Sequence, residues 1–148
     1  MIEGIDHINI VVNDLEKSAD FYKKYFDFKE DGRKKLNGEW IEELTGLKNI
    51  QAEVIFLSHE KTDTRIELLK YFSPAGEYME KNLIPNTLGI RHMAFKTNNF
   101  DTLIQKLKKD GITFIGGPKK IFEPVDKYKS KICYFLDPDK VLLEITGF

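Results

Sequence analysis

Two histidines and two glutamates are the residues of this sequence best suited to chemistry. His7 lies in a short β-branched segment, and Glu67 lies in the apolar segment RIELLKY. His92 and Glu144 occupy similar surroundings in GIRHMAF and VLLEITG. Two imidazoles and two carboxylates suit a divalent ion of borderline hardness, and the carboxylates balance its charge. We therefore predict a metal site if the fold brings the four residues together.

The segments around these residues indicate an internal repeat. Residues 5–12, IDHINIVV, predict a strand, and the Asn-Asp pair that follows predicts the start of a helix over about 14–27. The second histidine begins the same order again, with a helix predicted over about 99–110. Gly111 stands where a helix end favours a residue of positive φ.

Each half continues with three predicted strands, the last of which contains a glutamate. In the first half, 54–57 and 64–71 predict a hairpin with a polar turn between them. The segment 32–49 fits either the end of a strand or a short helix. Its Trp40 is expected to line a pocket or to lie in the core or a dimer contact.

Strand alternation assigns the candidate residues to one face of each sheet, because side chains at i and i+2 point to the same side. Glu67 shares its face with Arg65 and Tyr71, which makes these two residues candidates for substrate binding. Ile66 and Leu68 point to the opposite side, which is apolar and is expected to pack on the helices.

These observations predict an α+β fold. Two paired βαβββ modules, about 1–82 and about 88–148, are expected to form a single domain over 1–148. If each half curls its sheet over its own helix, the free faces form a curved mixed sheet around a metal cleft. The repetition carries this argument, since a lone histidine or glutamate in a strand is more often structural than a ligand.

Other chemically capable residues have simpler explanations. His59 lies in a polar turn and is expected to be solvated, and Cys133 is expected to pack in a strand. The turn 116–118 lacks the pattern of a phosphate-binding loop. The lysine-rich segment 119–131 is expected either to be a solvated loop or to cover the cleft and meet an anionic substrate.

Composition excludes several classes of function. The 148 residues are 41% hydrophobic, enough for a core, and 23 basic residues against 24 acidic ones favour no nucleic-acid partner. A single cysteine excludes an internal disulfide. Neither a signal peptide nor a long apolar span is evident, so we expect a cytoplasmic protein with no membrane partner.

Four segments resemble the signature segments of the vicinal oxygen chelate superfamily. They are DHINIVVNDLEKSADFYKKYF, IELLKYFSP, GIRHMAF and FLDPDKVLLEI, and the resemblance covers nearly the whole chain. The superfamily includes glyoxalase I, methylmalonyl-CoA epimerase, extradiol dioxygenases and fosfomycin-resistance transferases. The resemblance implies paired βαβββ modules, a homodimer, and one divalent ion (Ni, Co, Zn, Mn or Fe) on His7, Glu67, His92 and Glu144.

A four-ligand set is similar to the glyoxalase and epimerase branches and implies a metal-dependent lyase or isomerase. Such an enzyme abstracts a proton next to the carbonyl of a thioester or hemithioacetal, with Glu144 or Glu67 as the base. The chain departs from the epimerases at Asn49, where they carry a second acid-base glutamate. An extradiol-type dioxygenase and a metal-free small-molecule binding or resistance protein remain the alternatives.

Overall fold

The computed structural model describes residues 1–78, 84–121 and 130–148. The chain divides into two compact units, residues 1–78 and 79–148, and each contains its own four-stranded sheet. Part of the predicted boundary between modules, and most of the lysine-rich segment 119–131, lie outside the described residues. The organisation of both modules as one domain stays a prediction.

The first unit is a mixed sheet with the strand order β1-β4-β3-β2. β1 runs parallel to β4, whereas the other neighbours are antiparallel. The predicted hairpin is confirmed, with strands that extend further than expected on both sides of the turn. The elements in chain order are β1 (His7–Val11), α1 (Leu15–Phe26), β2 (Lys29–Asn37), α2 (Glu39–Thr45), β3 (Gln51–His59) and β4 (Thr62–Ser73).

Helix α1 begins and ends where the sequence predicts. The Asp14 side chain accepts a hydrogen bond from the backbone N–H of Lys17 at 3.1 Å, and Asp27 ends the helix in the left-handed region with φ of 57°. Its apolar residues Leu15, Ala19, Tyr22 and Phe26, spaced three or four positions apart, are all buried, and the aromatic residues between them add to the core. The buried side chains of α1 are Leu15, Ser18, Ala19, Phe21, Tyr22, Tyr25 and Phe26.

The segment that fitted two interpretations contains both a strand, β2, and a short helix, α2. Ile41 of α2 is buried in a cluster with Val54 and Leu69, and Tyr71 packs against this cluster. Because Leu69 and Tyr71 alternate with Glu67, α2 covers part of the sheet face that carries this glutamate. Trp40 is 53% exposed, which excludes the core among the three positions expected for it, and the pocket and the dimer contact stay predictions.

The second unit repeats the arrangement with the order β5-β8-β7-β6. β5 runs parallel to β8, and the other pairs are antiparallel. Gly111 follows α3 with φ of 74°, as predicted. The elements are β5 (Met93–Thr97), α3 (Phe100–Lys109), β6 (Lys119–Lys120), β7 (Lys131–Leu136) and β8 (Leu142–Gly147).

Two mixed four-stranded sheets with three helices confirm the predicted α+β class for the part of the chain that the structure describes. In the same part, no helix combines the length and the apolar character that crossing a membrane requires.

Candidate functional site

His7 and Glu67 lie side by side on the sheet of the first unit. His7 is the first residue of β1, and Glu67 lies on the adjacent parallel strand β4. The Nε2 atom of His7 is 3.4 Å from Oε2 of Glu67. The exposed fractions of the two side chains are 40% and 17%, so the pair is accessible from solvent.

His92 and Glu144 form an equivalent pair in the second unit. His92 directly precedes β5, and Glu144 lies on the parallel strand β8. The His92 Nε2 atom is 3.2 Å from Glu144 Oε2. Glu144 is more buried than Glu67, with 8% of its side chain exposed.

The strand register shows that the two pairs are related by the repeat. Glu67 is paired with Asn9 and Glu144 is paired with Ala94, and each partner stands two residues after the histidine of its pair. The sheet therefore presents histidine and glutamate in the same way in both units.

Asp6 is a site residue that the sequence reasoning missed. Its carboxylate oxygen lies 2.7 Å from Nδ1 of His7 and 3.1 Å from Nη2 of Arg65. The hydrogen bond from His7, together with Arg65, holds the pKa of the Asp6 carboxyl below its usual value. An aspartate directly before the histidine was visible in the sequence, but its contact with Arg65 depends on strand pairing.

Tyr134 is a second residue that was missed. It lies on β7 opposite Glu144, and its ring centroid is 5.2 Å from that of His92. Burial raises the pKa of the Tyr134 phenol, and its hydrogen bond to Glu144 raises it further. The phenol therefore stays protonated and donates to the carboxylate. In the first unit the residue opposite Glu67 is Phe56, which has no such donor.

The His7–Glu67 pair has the chemistry of a cation site. Because a carboxylate only accepts hydrogen bonds, Nδ1 of His7 carries the proton that goes to Asp6. In a neutral ring, the lone pair of Nε2 then faces the Glu67 carboxylate, so two hydrogen-bond acceptors lie next to each other. A bound cation or a second proton on the ring is needed to bridge them.

Within each pair, the spacing of the two side chains also fits two ligands of one metal ion. Metal–ligand distances of about 2.1 Å and angles between 90° and 109° place two ligand atoms about 3.0 to 3.4 Å apart. The observed Nε2–Oε2 distances are 3.4 Å and 3.2 Å. Among the described residues, no group of three or more His, Cys, Asp or Glu side chains is arranged to hold a metal ion.

The remaining candidates lie elsewhere or have other partners. Arg65 contacts Asp6, and its guanidinium lies 6.0 Å from the centre of the Phe56 ring. His59 is the last residue of β3 and is half-buried rather than fully solvated, with its ring centroid 5.2 Å from that of Phe28. Cys133 is buried in β7, and burial raises the pKa of its thiol to about 11.

Comparison with known proteins identifies the family. Residues 4–145 match the Glyoxalase/Bleomycin resistance protein/Dioxygenase superfamily. The match covers almost the entire chain, and the chain belongs to this superfamily. The resemblance of its signature segments is thereby confirmed.

The similar proteins carry names that indicate different activities. Mitochondrial methylmalonyl-CoA epimerase of Homo sapiens is 28% identical over 120 residues, covering 79% of this chain and 59% of that protein. Metallothiol transferase FosB of Shouchella clausii is 26% identical over 156 aligned positions, covering 99% and 82%. A glyoxalase family protein of Bacillus cereus has a similar fold, with a TM-score of 0.84 at 23% identity and coverage of 98% and 93%.

Proposed function

We propose that this protein is a metal-dependent lyase or isomerase of the glyoxalase–epimerase type. In this proposal His7, Glu67, His92 and Glu144 supply the ligands of one divalent ion. The observation that carries the proposal is the repeated His–Glu pair, which occurs in the same register in both units at a spacing that fits metal ligands.

A divalent ion of the Ni, Co, Zn, Mn or Fe(II) type supplies Lewis acidity when it is bound, which stabilises the enolate or enediolate form of a carbonyl substrate. One of the two glutamates removes and returns the proton next to the carbonyl. Glu144 is buried and receives the Tyr134 hydrogen bond, whereas Glu67 is paired across the sheet with Phe56, which has no donor. Because Glu144 is held more firmly, we favour Glu67 as the carboxylate that moves toward the substrate.

Tyr71 is the better placed of the two proposed substrate contacts. It shares the sheet face of Glu67 and packs against the apolar cluster under α2. This surface suits a substrate that carries a small apolar group on the carbon next to its reactive carbonyl, as a methylmalonyl thioester does. Arg65 already contacts Asp6, so any contact with a substrate carboxylate competes with that ion pair.

Metal binding is the first test. Metal-stripped protein is titrated with Ni, Co, Zn, Mn and Fe(II), and bound metal is measured by mass spectrometry. We expect one ion per chain, with binding lost in both His7→Ala and Glu144→Gln. His59→Ala is the matched control and retains binding. Two ions per chain would contradict a shared set of four ligands, and no bound ion near micromolar concentration would overturn the metal-dependent activity.

Proton transfer is tested with methylmalonyl-CoA and with a hemithioacetal of methylglyoxal, each incubated in deuterium oxide. We expect the loaded protein to exchange the proton next to the carbonyl of one probe, as seen by NMR. Glu67→Gln is expected to abolish the exchange while retaining part of the metal affinity. Exchange at the wild-type rate in that variant assigns the base to Glu144, which the corresponding substitution then tests.

The alternative functions are distinguished by the same preparation. Oxygen consumption with bound Fe(II) and a catechol supports a dioxygenase of the extradiol type. Tight binding of a small molecule by metal-free protein supports a binding or resistance protein. We also expect a homodimer and a cytoplasmic location, which sedimentation velocity and cell fractionation measure.

A further inference from the structure

We infer that Asp6 is a positioning residue that orients the imidazole of His7 toward Glu67, and that Arg65 in turn holds Asp6. The inference rests on the proposed function, because it concerns the presentation of a proposed metal ligand. It adds a role for Asp6, which acts through His7 without contact with the metal ion, and a role for Arg65 in holding Asp6.

Asp6 is held in place from two directions. Its backbone carbonyl accepts a hydrogen bond from the Arg65 backbone N–H at 3.0 Å, which continues the β1–β4 pairing beyond the end of β1. Its side chain accepts from Arg65 Nη2 at 3.1 Å. The carboxylate is therefore anchored although its side chain is 73% exposed.

The contact with His7 selects one form of the ring. With Nδ1 as the donor to Asp6 at 2.7 Å, the neutral imidazole has its lone pair on Nε2, the atom that faces Glu67. Histidine ligands of metal ions commonly donate their other ring N–H to a carboxylate in this way. Asp6 thus presets both the tautomer and the ring orientation that coordination through Nε2 requires.

The second unit differs at this position. The residue before His92 is Arg91, whose Nε donates to the backbone carbonyl of Gly89 at 3.4 Å. An arginine has no acceptor for an imidazole N–H. A hydrogen bond from the imidazole to the carboxylate of the preceding residue is therefore made by His7 and not by His92. Replacement of Asp6 is expected to affect His7 and to leave His92 unchanged.

The test measures the histidine tautomers of the metal-free protein by long-range ¹H–¹⁵N correlation at about pH 9, well above the ordinary histidine pKa of about 6.5. The chain has three histidines, which serve as mutual references. His59 accepts from the backbone N–H of Lys61 through Nδ1 at 3.1 Å, so it is expected in the opposite, Nε2–H form. His7 is expected in the Nδ1–H form.

Asp6→Ala is expected to lose the Nδ1–H preference of His7, and Asp6→Asn is expected to retain it because the amide oxygen still accepts. Asp63→Ala, which removes an exposed carboxylate from the same unit, is the matched control. In the metal titration, Asp6→Ala is expected to weaken affinity about 10- to 100-fold, with Asp6→Asn in between.

The two proposals fail in different ways. An Nε2–H form of His7 in the wild type, or an unchanged tautomer in Asp6→Ala, overturns the positioning role whether or not metal binds. Unchanged signals of His59 and His92 in the variant show that its fold is retained. Absence of metal binding by the wild type overturns the proposed function, while a tautomer change in Asp6→Ala still supports the orientation of His7 by Asp6.

Discussion

Replacement of Gly147 by alanine is expected to destabilise the pairing of β5 with β8, which positions His92 and Glu144. Gly147 is paired with Thr97 at the end of the parallel ladder. A Cβ atom on Gly147 would lie 2.1 Å from the Thr97 carbonyl oxygen, whereas real Cβ contacts are essentially never shorter than 3.0 Å. The two strands must therefore move apart by roughly 1 Å at this point.

The magnitude follows from the nature of the contact. Overpacking costs about 1 to 3 kcal/mol, and the upper part of this range applies because the Thr97 carbonyl belongs to the backbone and cannot rotate away. We expect a loss of about 3 kcal/mol, which for a chain of this length lowers the melting temperature by about 10 °C. Gly116 is the matched control, because a Cβ there meets nothing within 4 Å.

Urea denaturation followed by circular dichroism measures the loss, and amide hydrogen exchange locates it. Protection is expected to fall in β5 and β8 of Gly147→Ala and to remain unchanged in β1 and β4. Gly116→Ala is expected to lie within about 0.5 kcal/mol of the wild type. Equal stability of the two variants would refute the steric argument, and a uniform loss of protection would refute its localisation.

Three further predictions concern single side chains. Tyr134→Phe is expected to lower the free energy of unfolding by about 1 kcal/mol, because Glu144 loses a hydrogen-bond donor, and urea denaturation measures this change. The raised pKa of Cys133, about 11, predicts a thiolate fraction at pH 8 about 100-fold below that of an ordinary thiol. Cys133 is therefore expected to react with a disulfide reagent at least about 100-fold more slowly in the folded protein than in urea, and the reaction is expected to accelerate as the pH rises. Equal rates in the folded and unfolded protein would contradict burial of the thiol. Leu107→Ala is expected to cost about 2 to 5 kcal/mol because Leu107 is fully buried, whereas Leu44→Ala, at a residue that is 74% exposed, is expected to cost less than about 0.5 kcal/mol in the same assay.

Local features of the chain were sufficient to predict most elements. Helix α1 was located to within one residue at each end, because the capping residue Asp14 and the apolar spacing of the helix are local features of the chain. The internal repeat could likewise be recognised from the sequence, because it required only the order of the predicted elements in each half. α2 was left open, since seven residues with one buried side chain carry too little periodicity to exclude a strand.

The candidate residues were identified by their type and repetition, and their pairing is a result of strand register. Alternation predicted that Glu67 points to the face opposite the α1 core, and the register then set it diagonally beside His7. A shift of one residue along β4 would have put the carboxylate on the apolar face. The sequence contained no direct signal for that register.

The contacts that distinguish the two pairs were decided by tertiary structure alone. Asp6 and Arg65 are 59 positions apart in the sequence, and they are in contact only because β4 pairs with β1. Tyr134 reaches Glu144 only because β7 and β8 pair at that position. Residue types and helical spacing are local properties that the sequence determines by itself, whereas side chains distant in sequence become neighbours only when burial of the apolar faces selects one strand order and one register.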